Sequence, residues 1–276
     1  MTRSLVGGVS IDERGDPSSP GVLLWPGLGA TGGYFSLVAE RLAPRTVAAD
    51  PPGTGSSPAI ENCTFEQMVS AAVGLIGALG CQAMVGHSLG ADLAVGVATD
   101  PPPGLGAVVL VDGGYVDAKT RGELGMPSVA ERETVAQFVQ QNATSFADWE
   151  TAYRELAEVL GTDVTAAVEA FVRDEYEEVD SEIRSAVREE ILVDHLVATW
   201  RVNIAERAAK IAVPTLLIPC GEPAELATIK RSAWERFAAA SRLVDVYVAE
   251  GWGHNPFVQD PESSSQLVAD WLRARV

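Results

Sequence analysis

Ala83-Met84-Val85-Gly86-His87-Ser88-Leu89-Gly90-Ala91 reads as a short strand that breaks into a helix across a single serine. The apolar run Ala83 to Val85 leads into Gly86, and Leu89 to Thr99 has helical spacing, ended by Asp100-Pro101. Between a strand and a helix, G-x-S-x-G marks a turn too sharp for an ordinary residue. Glycine two positions either side of Ser88 lets the backbone pass without a Cβ clash, and the strain holds the hydroxyl clear of the main chain. The helix that follows aims its N-terminus, with its partial positive charge, at any anion formed there.

Outward from this turn the chain alternates. Val22-Leu23-Leu24-Trp25 is a strand ended by Pro26-Gly27, Phe35 to Leu42 has helical spacing, and Thr46 to Asp50 is a second strand closed by Pro51-Pro52-Gly53. Thr64 and Gln67 form a capping box that opens a helix to about Leu79, stopped by Gly80. Ala83 to Val85 is the third strand and Ala107 to Val111 the fourth. Leu5 to Ile11 supplies one further strand before them. Short strands that are apolar throughout, with helices between, predict a parallel sheet covered on both faces.

From Tyr115 to about Ala205 the pattern holds no strand candidate. Trp149, Tyr153, Leu156 and Leu160 share one helical face, Val164, Val168, Phe171 and Val172 another, and Val187, Ile191, His195 and Leu196 a third. This stretch carries 19 acidic against 8 basic residues. It reads as an all-helical insertion, with Arg173 to Glu182 as a solvated charged face. The alternation then resumes with a strand at Pro214 to Ile218, a helix at Ala224 to Ala240 and a strand at Leu243 to Ala249. Asp260-Pro261 opens a last helix. The expected division is a core of residues 1–114 and 206–276 with a helical cap of residues 115–205.

The chain has 276 residues, 47% of them hydrophobic, and a formal net charge of −18. The apolar content allows a sizeable core and excludes global disorder. The charge argues against nucleic acid and anionic membrane surfaces, which need Lys or Arg to neutralise phosphates. Cys63, Cys81 and Cys220 are odd in number and unclustered, as expected of free thiols and not of a disulfide framework or metal site. No run reaches 18 apolar residues, and Met1 to Gly8 lacks the apolar centre of a signal peptide. A cytoplasmic protein acting on a small molecule, without metal or organic cofactor, is expected; the oligomeric state is left open.

A serine hydroxyl needs a base to become a nucleophile at neutral pH. Of the three histidines, His87 sits beside Ser88 and should point away from it, and His195 lies on an apolar helical face. His254, in Glu250-Gly-Trp-Gly-His-Asn-Pro-Phe257, lies in the loop after the last strand, at the edge where Ser88 emerges. It is the expected base. The carboxylate that orients it is either Asp112, which ends the fourth strand, or Glu222, which follows the strand Leu216 to Ile218. The amides of Leu28 and Leu89 are the candidate oxyanion donors. Trp25, Tyr34, Tyr115, Trp149, Tyr153, His195 and Trp200 are candidate pocket residues, several of them equally readable as core packing.

Gly27-Leu28-Gly29-Ala30-Thr31-Gly32 also fits the G-x-G-x-x-G turn of dinucleotide-binding proteins, with Asp50 about twenty residues on. That reading, an NAD-dependent oxidoreductase, leaves Ser88 and His254 unexplained, and Pro26 interrupts the feed of the strand into the glycine turn.

These residues together resemble the α/β-hydrolase superfamily. Pro26-Gly27-Leu28 is similar to its oxyanion loop, which usually reads His-Gly-x. Asp50-x-x-Gly53-x-Gly55-x-Ser57 is similar to its turn after the next strand, and Gly86 to Gly90 to its nucleophile elbow. Gly253-His254 with Pro256 and Asp260-Pro-Glu262 is similar to its histidine loop and final helix. The family usually places the triad acid in Gly-x-x-Asp after the strand that here ends at Ile218. This chain reads Gly221-Glu-Pro-Ala224, so the resemblance favours the minority arrangement, with Asp112 as the acid. It implies an α/β-hydrolase fold, mostly parallel with helices on both faces, and a serine esterase acting on a small, largely apolar carboxylic ester. The same scaffold also serves C–C bond hydrolases, lyases, cofactor-free acyl transferases and small-molecule receptors with a vestigial site.

Overall fold

The computed structural model describes residues 2–221 and 223–276, with Thr2 and Ala205 described by backbone alone. β1 (Thr2–Val6) and β2 (Val9–Gly15) form an antiparallel hairpin, and β2 pairs antiparallel with β4. The expected single strand over Leu5 to Ile11 is therefore two. Gly7 and Gly8, at φ 57° and 85°, turn the chain between them. β3 (Gly21–Trp25) leads through a 3-10 turn and the short helix α1 (Ala39–Leu42) to β4 (Arg45–Ala49). The long helix expected over Phe35 to Leu42 is thus reduced to single turns.

α2 (Phe65–Leu79) starts on the capping box, with Thr64 and Gln67 exchanging hydrogen bonds of 2.9 and 3.2 Å, and ends on Gly80 at φ 64°. β5 (Cys81–His87), α3 (Leu89–Thr99) and β6 (Ala107–Val111) follow. The eight-stranded sheet runs β1-β2-β4-β3-β5-β6, then β10 (Thr215–Ile218) and β11 (Val244–Val246). From β4 to β11 every pairing is parallel. Alternate residues serve the two faces. Leu23, Met84 and Val108 pack with α2 and α3, while Leu24, Val85 and Val109 pack with α1 and α12 (Pro261–Arg273). That double coverage is why the strands are apolar at both parities.

The stretch between β6 and β10 is not all-helical, contrary to the expectation. It holds α4 (Ala118–Glu123), α5 (Arg132–Gln141), α6 (Trp149–Leu160), α7 (Ala166–Glu175), α8 (Glu189–Trp200) and α9 (Ile204–Arg207). It also holds a three-stranded antiparallel sheet of β7 (Ser145–Phe146), β9 (Glu182–Ser185) and β8 (Tyr176–Val179). The β8–β9 hairpin closes on Asp180 and Ser181, both at positive φ. The charged run Arg173 to Glu182 is mostly exposed, but only its first three residues are helical, and the rest enters a strand pair whose turn lacks the usual glycine signal. α10 (Ala224–Ala239) and the single turn α11 (Pro256–Gln259) complete the chain. Among the described residues no helix is long and apolar enough to cross a membrane.

Candidate active site

Chain order places β3 and β5 side by side while β4 lies beyond β3, so the connections leaving β3 and β5 diverge and open a crevice at their carboxyl ends. Ser88 sits in that crevice, half-buried, at φ 54° and ψ −120°. Its N–H donates to the Val111 carbonyl at 2.9 Å, so the sheet's own ladder holds the strained residue. A Cβ on Gly86 would run into the Gly90 carbonyl, and one on Gly90 into the carbonyls of Trp25 and Pro26. Both glycines of the pentapeptide are thus steric requirements. A Cβ on Gly27 would make a tight contact, 3.0 Å from Ser88 Cβ.

Ser88 Oγ lies 2.9 Å from His254 Nε2, and His254 Nδ1 lies 2.8 Å from Asp112 Oδ2. The Nδ1–H donates to the carboxylate, which leaves Nε2 to accept from the serine. The histidine loop is tied down from below. Burial holds the His87 imidazole far under its ordinary value, at about 3, so the ring is neutral and its Nε2–H donates to the His254 carbonyl at 2.6 Å. Asp112 follows β6 with its N–H on the Ile218 carbonyl at 2.9 Å and its φ at 42°, a left-handed conformation the sequence did not announce.

The Asp112 carboxylate is buried and heavily solicited. Oδ1 accepts from the Tyr115 hydroxyl at 2.9 Å and the Cys220 N–H at 3.0 Å; the Lys230 ammonium lies 2.8 Å from Oδ1 and 2.9 Å from Oδ2. Burial alone would raise this acid, but the hydrogen bond and charge of His254, then those of Lys230, outweigh it and hold the carboxyl below the usual range. Glu222, the other candidate acid, lies outside the described residues. Lys230 was missed, since a lysine in a predicted helix reads as surface charge.

Leu89 N–H opens α3, where no intrahelical acceptor exists. Among the described residues neither it nor Leu28 N–H donates to a protein acceptor outside helices and strands. Both residues line a cavity of about 1100 Å³ that also opens on Ser88 and His254. Of the candidate pocket residues, Tyr34, Tyr115 and Trp200 line it. Four other expected pocket residues do not reach it. Trp25 is fully buried in the core beneath the sheet. Trp149 and Tyr153 pack on the Arg173 guanidinium, 3.8 and 5.7 Å from the ring centres. His195 is 2% exposed and lies 3.0 Å from the Pro52 carbonyl, to which its Nε2–H donates. Amphipathic spacing marked these side chains as inward but could not say which interior they enter.

The cavity wall owes more to α5 and α8, through Phe138, Val139, Leu192 and Leu196. Two carboxyls in it are displaced by burial: Asp92 is raised to about 7 and Glu175, which accepts from the Thr31 N–H at 3.0 Å, to about 8. The glycine turn after β3 is not free for a nucleotide ribose partner. The two oxygens of Asp50 accept from Gly32 N–H and Ser56 N–H, each at 3.0 Å. Among the described residues no cluster of three or more His, Cys, Asp or Glu is gathered to hold a metal ion.

A family profile described as the alpha/beta hydrolase family matches residues 22–267. Solved structures of the same architecture include an E-2-(acetamidomethylene)succinate hydrolase, at 20% identity and TM-score 0.77 over 99% of this chain and 98% of that one. An esterase from Exiguobacterium antarcticum matches at 15% identity and TM-score 0.73 over 99% of each chain. An esterase of M. tuberculosis matches at 19% identity and TM-score 0.71, over 99% of this chain and 91% of that one. At these identities the likeness is one of fold.

Proposed function

The chain belongs to the alpha/beta hydrolase family, and on that premise we propose that it is a serine hydrolase of small, largely apolar carboxylic esters, with Ser88, His254 and Asp112 as its catalytic triad. The observation that carries this reading is the unbroken line of 2.9 and 2.8 Å contacts from Ser88 Oγ through the His254 ring to Asp112. In it Ser88 Oγ attacks the acyl carbon while its proton passes to His254 Nε2. Asp112 steadies the imidazolium, and the Leu28 and Leu89 amides receive the oxyanion. Collapse expels the alcohol, which takes the proton from His254. Water, deprotonated by the same nitrogen, then releases the acid from Ser88.

The substrate class rests on the cavity wall, where Leu28, Phe138, Leu192, Leu196 and Trp200 favour an apolar acyl or alcohol group. We assign residues 1–114 and 206–276 to the catalytic core and 115–205 to a cap that supplies much of this wall. The free, buried thiols of Cys63, Cys81 and Cys220 fit a cytoplasmic protein.

Labelling with a fluorophosphonate, followed by mass location of the adduct, tests the reading together with a panel of p-nitrophenyl esters. The expected result is one adduct on Ser88 and burst kinetics on short esters. No adduct on Ser88, or ester turnover that survives Ser88→Ala, overturns it.

A further inference from the structure

The triad acid carries an ammonium that a serine hydrolase does not require. Lys230 comes from α10, the helix after the strand where the family usually places its acid. Its side chain is only 12% exposed, and the carboxylate it meets is 2% exposed. Both Asp112 oxygens stand within 2.9 Å of its Nζ. One carboxylate is therefore shared between a fixed cation and a titrating ring.

Four further titratable groups stand near this pair. From the end of β5 comes His87, with ring centres 4.9 Å from His254, kept neutral by burial. After β6 comes Tyr115, whose phenol burial pushes well up, and after β10 comes the Cys220 thiol, likewise pushed up by burial. Tyr34, stacked on His87, is raised for the same reason. All four are uncharged at neutral pH. Among the described residues Lys230 is the charged group, outside the triad itself, in contact with Asp112.

Resting on the triad reading above, we propose that Lys230 is a positioning residue that sets the pH at which His254 takes its proton. Its charge offsets part of the Asp112 charge and repels an imidazolium. The pull of the acid on His254 is thereby weakened. The ammonium also clamps the carboxylate that a left-handed Asp112 backbone presents.

The sign follows directly. Replacing Lys230 by a neutral residue leaves Asp112 with its full charge and removes the repulsion, so His254 holds its proton to higher pH. In Lys230→Met the His254 midpoint rises by about one pH unit, the scale expected for a unit charge a few ångströms away at a partly buried site. The acidic limb of kcat/KM rises with it, while Lys230→Arg keeps both where they are in the natural chain. The direct measurement is a ¹³C-histidine NMR titration of the full chain, practical with three histidines. If Lys230→Met does not fold, Lys230→Gln, neutral but still a donor to Asp112, carries the same test.

A midpoint that stays put in the neutral variant, with only a lower melting temperature, makes Lys230 merely structural and overturns the proposal. The titration needs no substrate. A shifted midpoint in a chain that cleaves none of the esters would sink the hydrolase reading and leave the role of Lys230 standing.

Discussion

The carboxyl edge of the sheet and the insertion between β6 and β10 meet at one cavity but are built on different terms. At the edge, the side chains proposed to react hang from backbone that the sheet holds directly: Ser88 N–H on Val111 and Asp112 N–H on Ile218, each at 2.9 Å. Both residues sit at positive φ, a strained conformation that these hydrogen bonds help to hold. Among the described residues no backbone group of helices α4 to α9 hydrogen-bonds to Ser88, His254 or Asp112. The insertion's helices reach the cavity through packing, with Val135, Val139, Val193, Leu196 and Val197 clustering on Leu89, the residue after Ser88. On the proposed reading, chemistry is set by backbone at one side, and shape by side-chain packing at the other. Substitutions at the edge should change turnover at constant stability, and those in the insertion should change stability or selectivity first.

The largest effect is expected at Ser88. Ser88→Ala should lower kcat by at least about 10⁴-fold and move stability by no more than about 0.5 kcal/mol, read from ester kinetics and urea unfolding. A chain that unfolds instead would show that the edge does not separate chemistry from stability. Next comes the acid. Asp112→Asn retains the shape but cannot hold His254 in its tautomer, and should cost about 10³–10⁴ in kcat. If Asp112 is the acid, Glu222→Gln should stay within about threefold of the natural chain on the same assay. The reverse order would move the acid to the end of β10.

Glu175 tests the insertion's side. Its carboxyl is buried at the end of α7 and raised from an ordinary 4.5 to about 8. Between those values the folded chain keeps a proton that the unfolded chain releases, so stability falls as pH rises from about 4.5 to about 8. Glu175→Gln removes that slope. Measured by urea unfolding, the variant should gain about 2–4 kcal/mol on the natural chain between pH 5 and pH 8. Parallel curves would mean that Glu175 ionises freely, and that its end of the insertion is open.

The same contrast explains what could be read in advance. Ser88, His254 and the sheet around them were legible because a sharp turn has few sequence solutions: Gly86 and Gly90 are sterically forced, and a strand buried on both faces must be apolar. Asp112 was legible only as one of two acids, since nothing local marks a carboxylate that will meet a histidine 142 positions away. Lys230 left no trace, because a buried ion pair is defined by its partner and not by its neighbours in sequence. In the insertion, periodicity located α6, α7 and α8 well. It could not tell that Trp149 and Tyr153 pack on Arg173 and miss the cavity, and it passed over the small sheet altogether.

That sheet offers the finest test, because there the sign of the effect carries the answer. β8 and β9 pair from Tyr176↔Ser185 to Val179↔Glu182, which leaves Asp180 and Ser181 as a two-residue turn at φ 52° and 65°. Such a turn needs positive φ at both central positions, and glycine or asparagine is the usual choice. Serine in the left-handed region costs about 1 kcal/mol. Ser181→Gly should relieve part of that strain, and the entropy glycine loses on folding takes back some of the gain. A net stabilisation of about 0.5 kcal/mol is expected, seen as a higher urea midpoint at unchanged slope. Were Ser181 inside a helix, as an all-helical insertion would place it, the same glycine would cost up to about 1 kcal/mol. A rise in the midpoint keeps the hairpin, and a fall returns the insertion to helices alone.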